Sequence, residues 1–412
     1  MNIPARSIPA LGVVAVALAL GGCSTPEESG TTLRYAFWDE SQKAAMEQLA
    51  RNFEDDNPGV SIEIEATPFA EYFTKLETSI TGGSGPDVFW INASQLPRYA
   101  EAGVLAPIET DDVSWEAYPE AIEKMFLVDG THYGVPRDVD TIGLWYNKAV
   151  FDAAGVAYPT SDWTWEDLKQ SATALTDPEA GVYGIAANFD SQQSYYNTIF
   201  QAGGYVVSDD GSESGFDDPA TQQGITFWTD LIDAGLSPTL SQMTEIEPFD
   251  MFLSNTVGML YAGSWNARWM YDDEAIRANV GVVELPAGKV EATVLHGLAN
   301  AVSSASSNAA LAEKFAAYLG SAEAAEFIAS EGVVIPAYEG SADQWVASMP
   351  DFDVQVFVDA LEFGVPWPST PTTATWEVVE VDMLRPVWAR EISIQVQGPK
   401  LAEAVDEILV GD

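Results

Sequence analysis

The sequence predicts an α/β protein of two lobes, each a mostly parallel sheet flanked by helices, joined by strands that cross between them. Three observations carry this expectation. Strand and helix periodicities alternate through the first hundred residues, the same alternation resumes at Ile142 without an intervening linker, and 412 residues are more than one core usually supports.

A segment of another kind precedes the first strand. Arg6 supplies a short positive stretch, residues 10–20 (ALGVVAVALAL) are apolar, and Leu20-Gly21-Gly22-Cys23 closes with small residues ahead of the only cysteine. About a dozen apolar residues fall short of a hydrocarbon core roughly 30 Å thick, so residues 1–22 read as a cleaved lipoprotein signal with Cys23 as the lipidation site. The alternative is an ordinary secretory signal that happens to end near a cysteine, and no A-x-A cleavage site supports it. Residues 23–32 are then a polar tether, and contact with the membrane is expected through the lipid alone.

Within the body, Leu33, Tyr35 and Phe37 alternate as a strand. Met46, Leu49, Ala50 and Phe53 follow with helical spacing, which Asn57-Pro58-Gly59 stops. Val60, Ile62 and Ile64 form a second strand. Phe69, Tyr72, Phe73, Leu76 and Ile80 mark a second helix, ended by Gly82-Gly83-Ser84-Gly85-Pro86, and residues 87–91 are a third, buried-looking strand. Such a β-α-β-α-β run takes right-handed crossovers and a largely parallel sheet. Beyond Ile142, helices are expected at 163–175, 192–202, 221–234 and 309–319, with a strand at 182–187.

Composition excludes several classes. A formal charge of −46, from 63 acids against 17 Lys and Arg, rules out a protein that tracks nucleic-acid phosphates. The acidity fits a cationic ligand, acceptors for sugar hydroxyls, or, the favoured reading, a solvated surface that maintains solubility. One cysteine forbids a disulfide framework, and no second apolar run approaches membrane-spanning length. His132 and His296 are the only histidines and stand in no CxxC or HxxxH pattern, so no metal is expected; neither a P-loop nor a GxGxxG is present, so no cofactor is. Paired carboxylates for glycoside hydrolysis are not dismissed by counting, because so many acids guarantee chance pairs.

A series of motifs then resembles one family. Phe53-x-x-x-Asn57-Pro58-Gly59-Val60, Gly85-Pro86-Asp87-Val88, residues 102–108 (AGVLAPI), Tyr133-Gly134-Val135-Pro136 and Leu144-x-Tyr146-Asn147-Lys148 come first. Trp163-x-Trp165-Glu166-Asp167-Leu168, Gly258-Met259 with Gly263-Ser264-Trp265, and Gly332-x-x-x-Pro336 follow in the same order. Over roughly residues 33–390 the chain resembles the family 1 extracellular solute-binding proteins, the maltose-binding-protein-like receptors of ABC importers. The resemblance implies a type II periplasmic-binding-protein fold, with an N-lobe at 31–138 plus 294–337 and a C-lobe at 142–289 plus 338–412. It further implies a monomeric, extracytoplasmic, non-enzymatic receptor that holds a carbohydrate in the interlobe cleft and delivers it to the importer's membrane subunits. A secreted lipoprotein glycosidase and a receptor for a cationic or other polar solute are the rival readings.

Open α/β sheets bind ligands beyond the carboxyl ends of their strands. Asp39, Glu40 and Ser41 follow the first strand, where a carboxylate accepts hydroxyl hydrogen bonds or caps the next helix. Trp90 and Asn92 end the third strand; alternation requires that either Trp90 or Ile91 face outward, and an indole face suits a pyranose. After Pro136, Asp140 best matches the family's ligand-binding acid, whereas a hinge salt bridge between Arg137 and an aspartate is the plainer alternative. Asn188, Gln192, Tyr195 and Tyr196 follow the 182–187 strand and resemble the family's C-lobe contact segment, one tyrosine being expected in the core. Trp265 and Trp376 match its stacking aromatics, with Trp367 as the substitute for Trp376, and Arg268 is placed to donate bidentately.

If Cys23 carries the lipid, Cys23→Ser is expected to move the protein from the membrane fraction to the soluble fraction without unfolding it. A variant that stays with the membrane, or an unmodified wild-type cysteine by mass spectrometry, would contradict this.

Overall fold

A computed structural model describes residues 30–411; the signal at 1–22, Cys23 and most of the tether lie outside the described residues. Leu33, Tyr35 and Phe37 are fully buried, as their alternation predicts. Their strand, Thr31–Phe37, pairs in parallel with Val60–Ala66 and Val88–Asn92. Helices Lys43–Asp56 and Phe69–Thr81 supply the crossovers. Gly59 adopts φ 88° in the turn out of the first helix, a conformation that only glycine takes without strain.

On its other side this sheet continues with Thr293–Val302, Val135–Asp140 and Ile335–Pro336, each antiparallel to its neighbour. The second sheet runs Val280–Val283, Ile142–Asn147, Val257–Gly263, Tyr183–Ile185, and only the last pair is parallel. The expected parallel pairing is therefore corrected to mixed pairing. It holds inside β-α-β units, where a helix returns the chain, and between Thr293–Leu295 and Gly364–Pro366, but the other pairings of the strands that pass between lobes are antiparallel.

The passage between lobes is short. Thr141 alone separates Val135–Asp140 in the first sheet from Ile142–Asn147 in the second. Its hydroxyl donates to the Phe357 carbonyl at 2.7 Å, and Ile142 N donates to Thr293 Oγ1 at 3.0 Å. The two crossing strands are thus tied at the point where both change lobes. Gly364–Pro366, inside the stretch expected in the second lobe, pairs with Thr293–Leu295 beside that crossing.

Helices of the second lobe begin where their capping residues stand. Trp165–Leu175 starts from a reciprocal Thr164–Asp167 box, and Pro219–Asp233 from Asp218. The helix expected at 192–202 opens instead as a π-helical turn, Ser191–Tyr195, before Tyr196–Gln201. Such turns alter which side chains a helix presents.

Strand alternation misplaces one residue. Val88, Phe89, Trp90 and Ile91 are all fully buried, because helices cover both faces of this central strand. Trp90 donates through Nε1 to Tyr35 Oη at 2.6 Å, and Tyr35 Oη donates in turn to Asn300 Oδ1 at 2.9 Å. The indole is a core element with its polar atom satisfied, and it offers no face to a ligand.

Candidate functional site

The carboxyl ends of Thr31–Phe37 and Val88–Asn92 lie at one edge of the first sheet, and those of Tyr183–Ile185 and Val257–Gly263 at one edge of the second. Between these edges is a cleft of about 480 Å³. Trp38, Asp39, Gln42, Phe69 and Asn92 line it from the first lobe, and Asp190, Gln192, Gln193, Ser264 and Trp265 from the second. Its floor is the crossing itself, with Asp138, Asp140, His296 and Leu298.

The first wall hangs on a buried cation. Arg137, its side chain 1% exposed, lies over the Trp90 ring at 4.2 Å from the centroid. It donates through Nη1 to Asp138 and through Nη2 to Gln42 Oε1. Gln42 Nε2 then donates to Asp39 Oδ2 at 2.8 Å, so the orientation of both cleft-lining side chains traces back to the guanidinium. Asp138 also accepts from Leu298 N at 3.0 Å; burial pushes its carboxyl up to about 6 against the downward pull of Arg137. The salt bridge weighed for this segment does form, with Asp138.

Asp140 links the floor to the second wall. It accepts from Gln192 Nε2 at 2.8 Å and lies 3.8 Å from His296 Nδ1. Asp190 caps the π-helical turn, accepting from Gln193 N at 2.6 Å and Gln193 Nε2 at 3.3 Å, and burial raises its pKa. Trp265 stands just ahead of Asn266–Asp272, partly buried, with its indole folded over Gly263. A Cβ on Gly263 would fall 1.9 Å from that ring, so the glycine is what permits the indole its place along the cleft.

Five of the residues expected from sequence come together here: Asp39, Asn92, Asp140, Gln192 and Trp265. Others are placed elsewhere. Trp376 is fully buried in the second lobe's core, its Nε1 donating to Thr370 Oγ1 at 2.9 Å, and its substitute Trp367 sits behind His296. Tyr195 and Tyr196 are both core: one packs on Trp388 at 5.1 Å, the other donates to Glu380 Oε2 at 2.7 Å. Glu40 pairs with Lys43, Ser41 bonds back to Asp39, and neither lines the cleft. Asn188 is partly buried outside it. Arg268 bonds to Asp272 and the Glu331 carbonyl and does not line the cleft.

Sequence reasoning missed Trp38, Gln42, Phe69, Asp190, Gln193, Ser264 and His296. Trp38 and Ser264 were within reach: Trp38 adjoins Asp39, chosen for following a strand, and Ser264 adjoins Trp265, chosen by the family resemblance. His296 was weighed only as a metal ligand. Phe69 comes from the start of a helix whose apolar spacing read as core, yet it is 56% exposed.

Chemically the cleft offers carboxylate and amide hydrogen-bonding groups between aromatic surfaces. Among the described residues no three His, Cys, Asp or Glu side chains gather as a metal site.

Behind the cleft, helix Thr373–Trp388 carries two further acids that do not line it. Burial, reinforced by the neighbouring Glu377, pushes Glu380 up to about 8, and burial pushes Glu377 up to about 7. Glutamates in the unfolded chain ionise near pH ~4.3. The stability these neutral carboxyls contribute is therefore full below about pH 4.3 and is lost as pH rises through about 7 to 8. Glu380→Gln keeps an acceptor for Tyr196 and is expected to raise the melting temperature at pH 8 and flatten its decline from pH 5 to pH 8. An unchanged decline would mean that Glu380 is ionised in the native state throughout.

Comparison with known proteins adds lineage to this geometry. The profile of the family described as bacterial extracellular solute-binding protein matches residues 29–326. A putative binding protein of Brucella abortus (strain 2308) is 25% identical over 263 residues, 62% of this chain and 63% of that protein, so the match spans less than two thirds of that relative. The galactooligosaccharide-binding protein of Bacillus subtilis (strain 168) is 23% identical over 376 residues, 87% of this chain and 86% of its own. The solved structure of an ABC substrate-binding protein from Listeria monocytogenes in complex with cycloalternan matches with a TM-score of 0.84 at 25% identity, covering 92% of this chain and 98% of that one.

Proposed function

The chain belongs to the bacterial extracellular solute-binding protein family, and on that premise we propose that it is the substrate-binding component of an ABC importer, receiving a carbohydrate between its lobes. One observation carries the reading: the cleft sets Trp265 and Trp38 among Asp39, Asn92, Asp140 and Gln192, aromatic surface beside paired acceptors and donors, on walls from both lobes. A pyranose has that same division, apolar C–H faces edged by hydroxyls. The names of relatives support it, since one is called galactooligosaccharide-binding and a structural neighbour holds cycloalternan.

In this reading the sugar stacks on Trp265 while Asp39, Asn92, Asp140 and Gln192 bond its hydroxyls. Contacts to both lobes favour a closed form, which docks on the importer's membrane subunits. The lobes are 31–138 plus 294–337 and 142–289 plus 338–412, and the receptor works as a monomer outside the cytoplasm, anchored through lipid on Cys23. No bond is made or broken. The glycosidase reading needs a general acid free to face the ligand, but Glu377 and Glu380 lie behind the cleft, and of the cleft acids whose pKa burial raises, Asp138 is engaged with Arg137 and Asp190 with Gln193.

A thermal-shift screen against a saccharide panel tests the reading, because a ligand bound only to the native state raises stability by RT ln(1 + [L]/Kd). With the saccharide giving the largest shift, Trp265→Ala is expected to weaken binding by roughly 5- to 150-fold, the equivalent of about 1–3 kcal/mol. The ligand-free melting temperature should change little, because the indole is only partly buried. A variant that melts far earlier yet binds normally once folded would make Trp265 a core residue and move the stacking surface to Trp38.

A further inference from the structure

Resting on the carbohydrate reading, we infer that the cleft admits uncharged saccharides and rejects acidic ones, whether uronate, sulfated or phosphorylated, and that Asp39 and Asp190 enforce the choice. An anion bound at a strand-end cleft is ordinarily held by free N–H groups at the start of a helix or by Arg and Lys. Here two of the helix starts are capped by the cleft's own carboxylates, and no Lys or Arg lines the cleft among the described residues.

Four helical segments start at the cleft: Glu40–Gln42, which runs into Lys43–Asp56, Phe69–Thr81, Ser191–Tyr195, which runs into Tyr196–Gln201, and Asn266–Asp272; the first and third carry acids of the cleft at their starts. At the first, Asp39 accepts from Ser41 N at 2.9 Å; at the third, Asp190 accepts from Gln193 N at 2.6 Å. The side-chain amides beside them, Gln42 Nε2 and Gln193 Nε2, donate to the same two carboxylates. At these two segments a ligand anion meets negative charge in place of donors.

Nor does a cation compensate. Among the described residues no Lys or Arg lines the cleft. The adjacent guanidinium, Arg137, is 1% exposed and committed to Asp138 and Gln42. His296 lies 3.8 Å from Asp140, so a proton on its ring is matched by that carboxylate before any ligand arrives. A uronate would therefore face Asp39, Asp140 and Asp190 without a counter-ion. Hydroxyls, by contrast, donate to those same oxygens. In a partly buried site of effective dielectric ~20, repulsion at hydrogen-bonding range weakens binding by about tenfold or more.

The test is titration calorimetry at low ionic strength with matched pairs, galactobiose against digalacturonate and cellobiose against cellobiouronate, beside the neutral saccharide that gives the largest thermal shift. In any pair that binds, the neutral member is expected to bind about tenfold or more tightly, and added salt to narrow the gap. Asp39→Asn and Asp190→Asn keep a capping oxygen while removing the charge, so each should narrow the ratio between members even where both affinities fall. An acidic member that binds as tightly as its neutral partner overturns the inference and leaves the carbohydrate reading standing, as does a ratio untouched in both variants. If no neutral saccharide binds at all, the carbohydrate reading fails and this inference falls with it.

Discussion

A single buried cation, Arg137, organises the cleft and the crossing beneath it. A guanidinium removed from water is tolerated only when its charge is met, and removing one partner of such a set leaves the other stranded. Here the ring of Trp90, the carboxylate of Asp138 and the amide oxygen of Gln42 meet its charge and its two Nη groups, while Nε is buried without a partner among the described residues. Each partner carries the constraint further. Trp90 fixes it to the first lobe's core through Tyr35, Asp138 binds the crossing strand to Leu298 of its neighbour, and Gln42 aligns Asp39 along the cleft wall. The polar edge of the cleft and the strands that join the lobes therefore share one electrostatic anchor.

That anchor lies next to a narrow passage. Only Thr141 intervenes between the strand of one sheet and that of the other, and hydrogen bonds to Phe357 and between Ile142 and Thr293 hold neighbouring segments together there. Change confined to a few backbone dihedrals at such a point moves whole lobes while leaving each core intact. The cleft walls answer to the same geometry. Asp140 stands at the crossing and already reaches Gln192 of the second lobe, so a ligand that inserts between them meets groups from both sides of the passage.

Much of the fold was legible in the sequence because it rests on local periodicity. Leu33, Tyr35 and Phe37, the helix around Met46 to Phe53, and the helix Ala309–Leu319 follow from spacing alone. Strand direction was less legible, since a crossing strand carries no local mark of the sheet it joins. Within the site, Asp39 and Asn92 were legible as strand-end residues, whereas of the aromatics expected there only Trp265 lines the cleft. Trp265 and Trp376 are equally apolar in sequence; what separates them is that Gly263 makes room for one indole along the cleft, while Thr373–Trp388 turns the other into the core. The route from Arg137 through Gln42 to Asp39 spans residues far apart in the chain, and no spacing rule reaches it.

The central claim is that a saccharide draws two lobes together across this passage. Small-angle X-ray scattering of the mature protein, with and without a saturating saccharide that raises its melting temperature, addresses that claim most directly. The account predicts a smaller radius of gyration in the bound state, with lobe cores unchanged. An identical radius at saturation would mean that the cleft is rigid, and the account of binding by closure would be wrong.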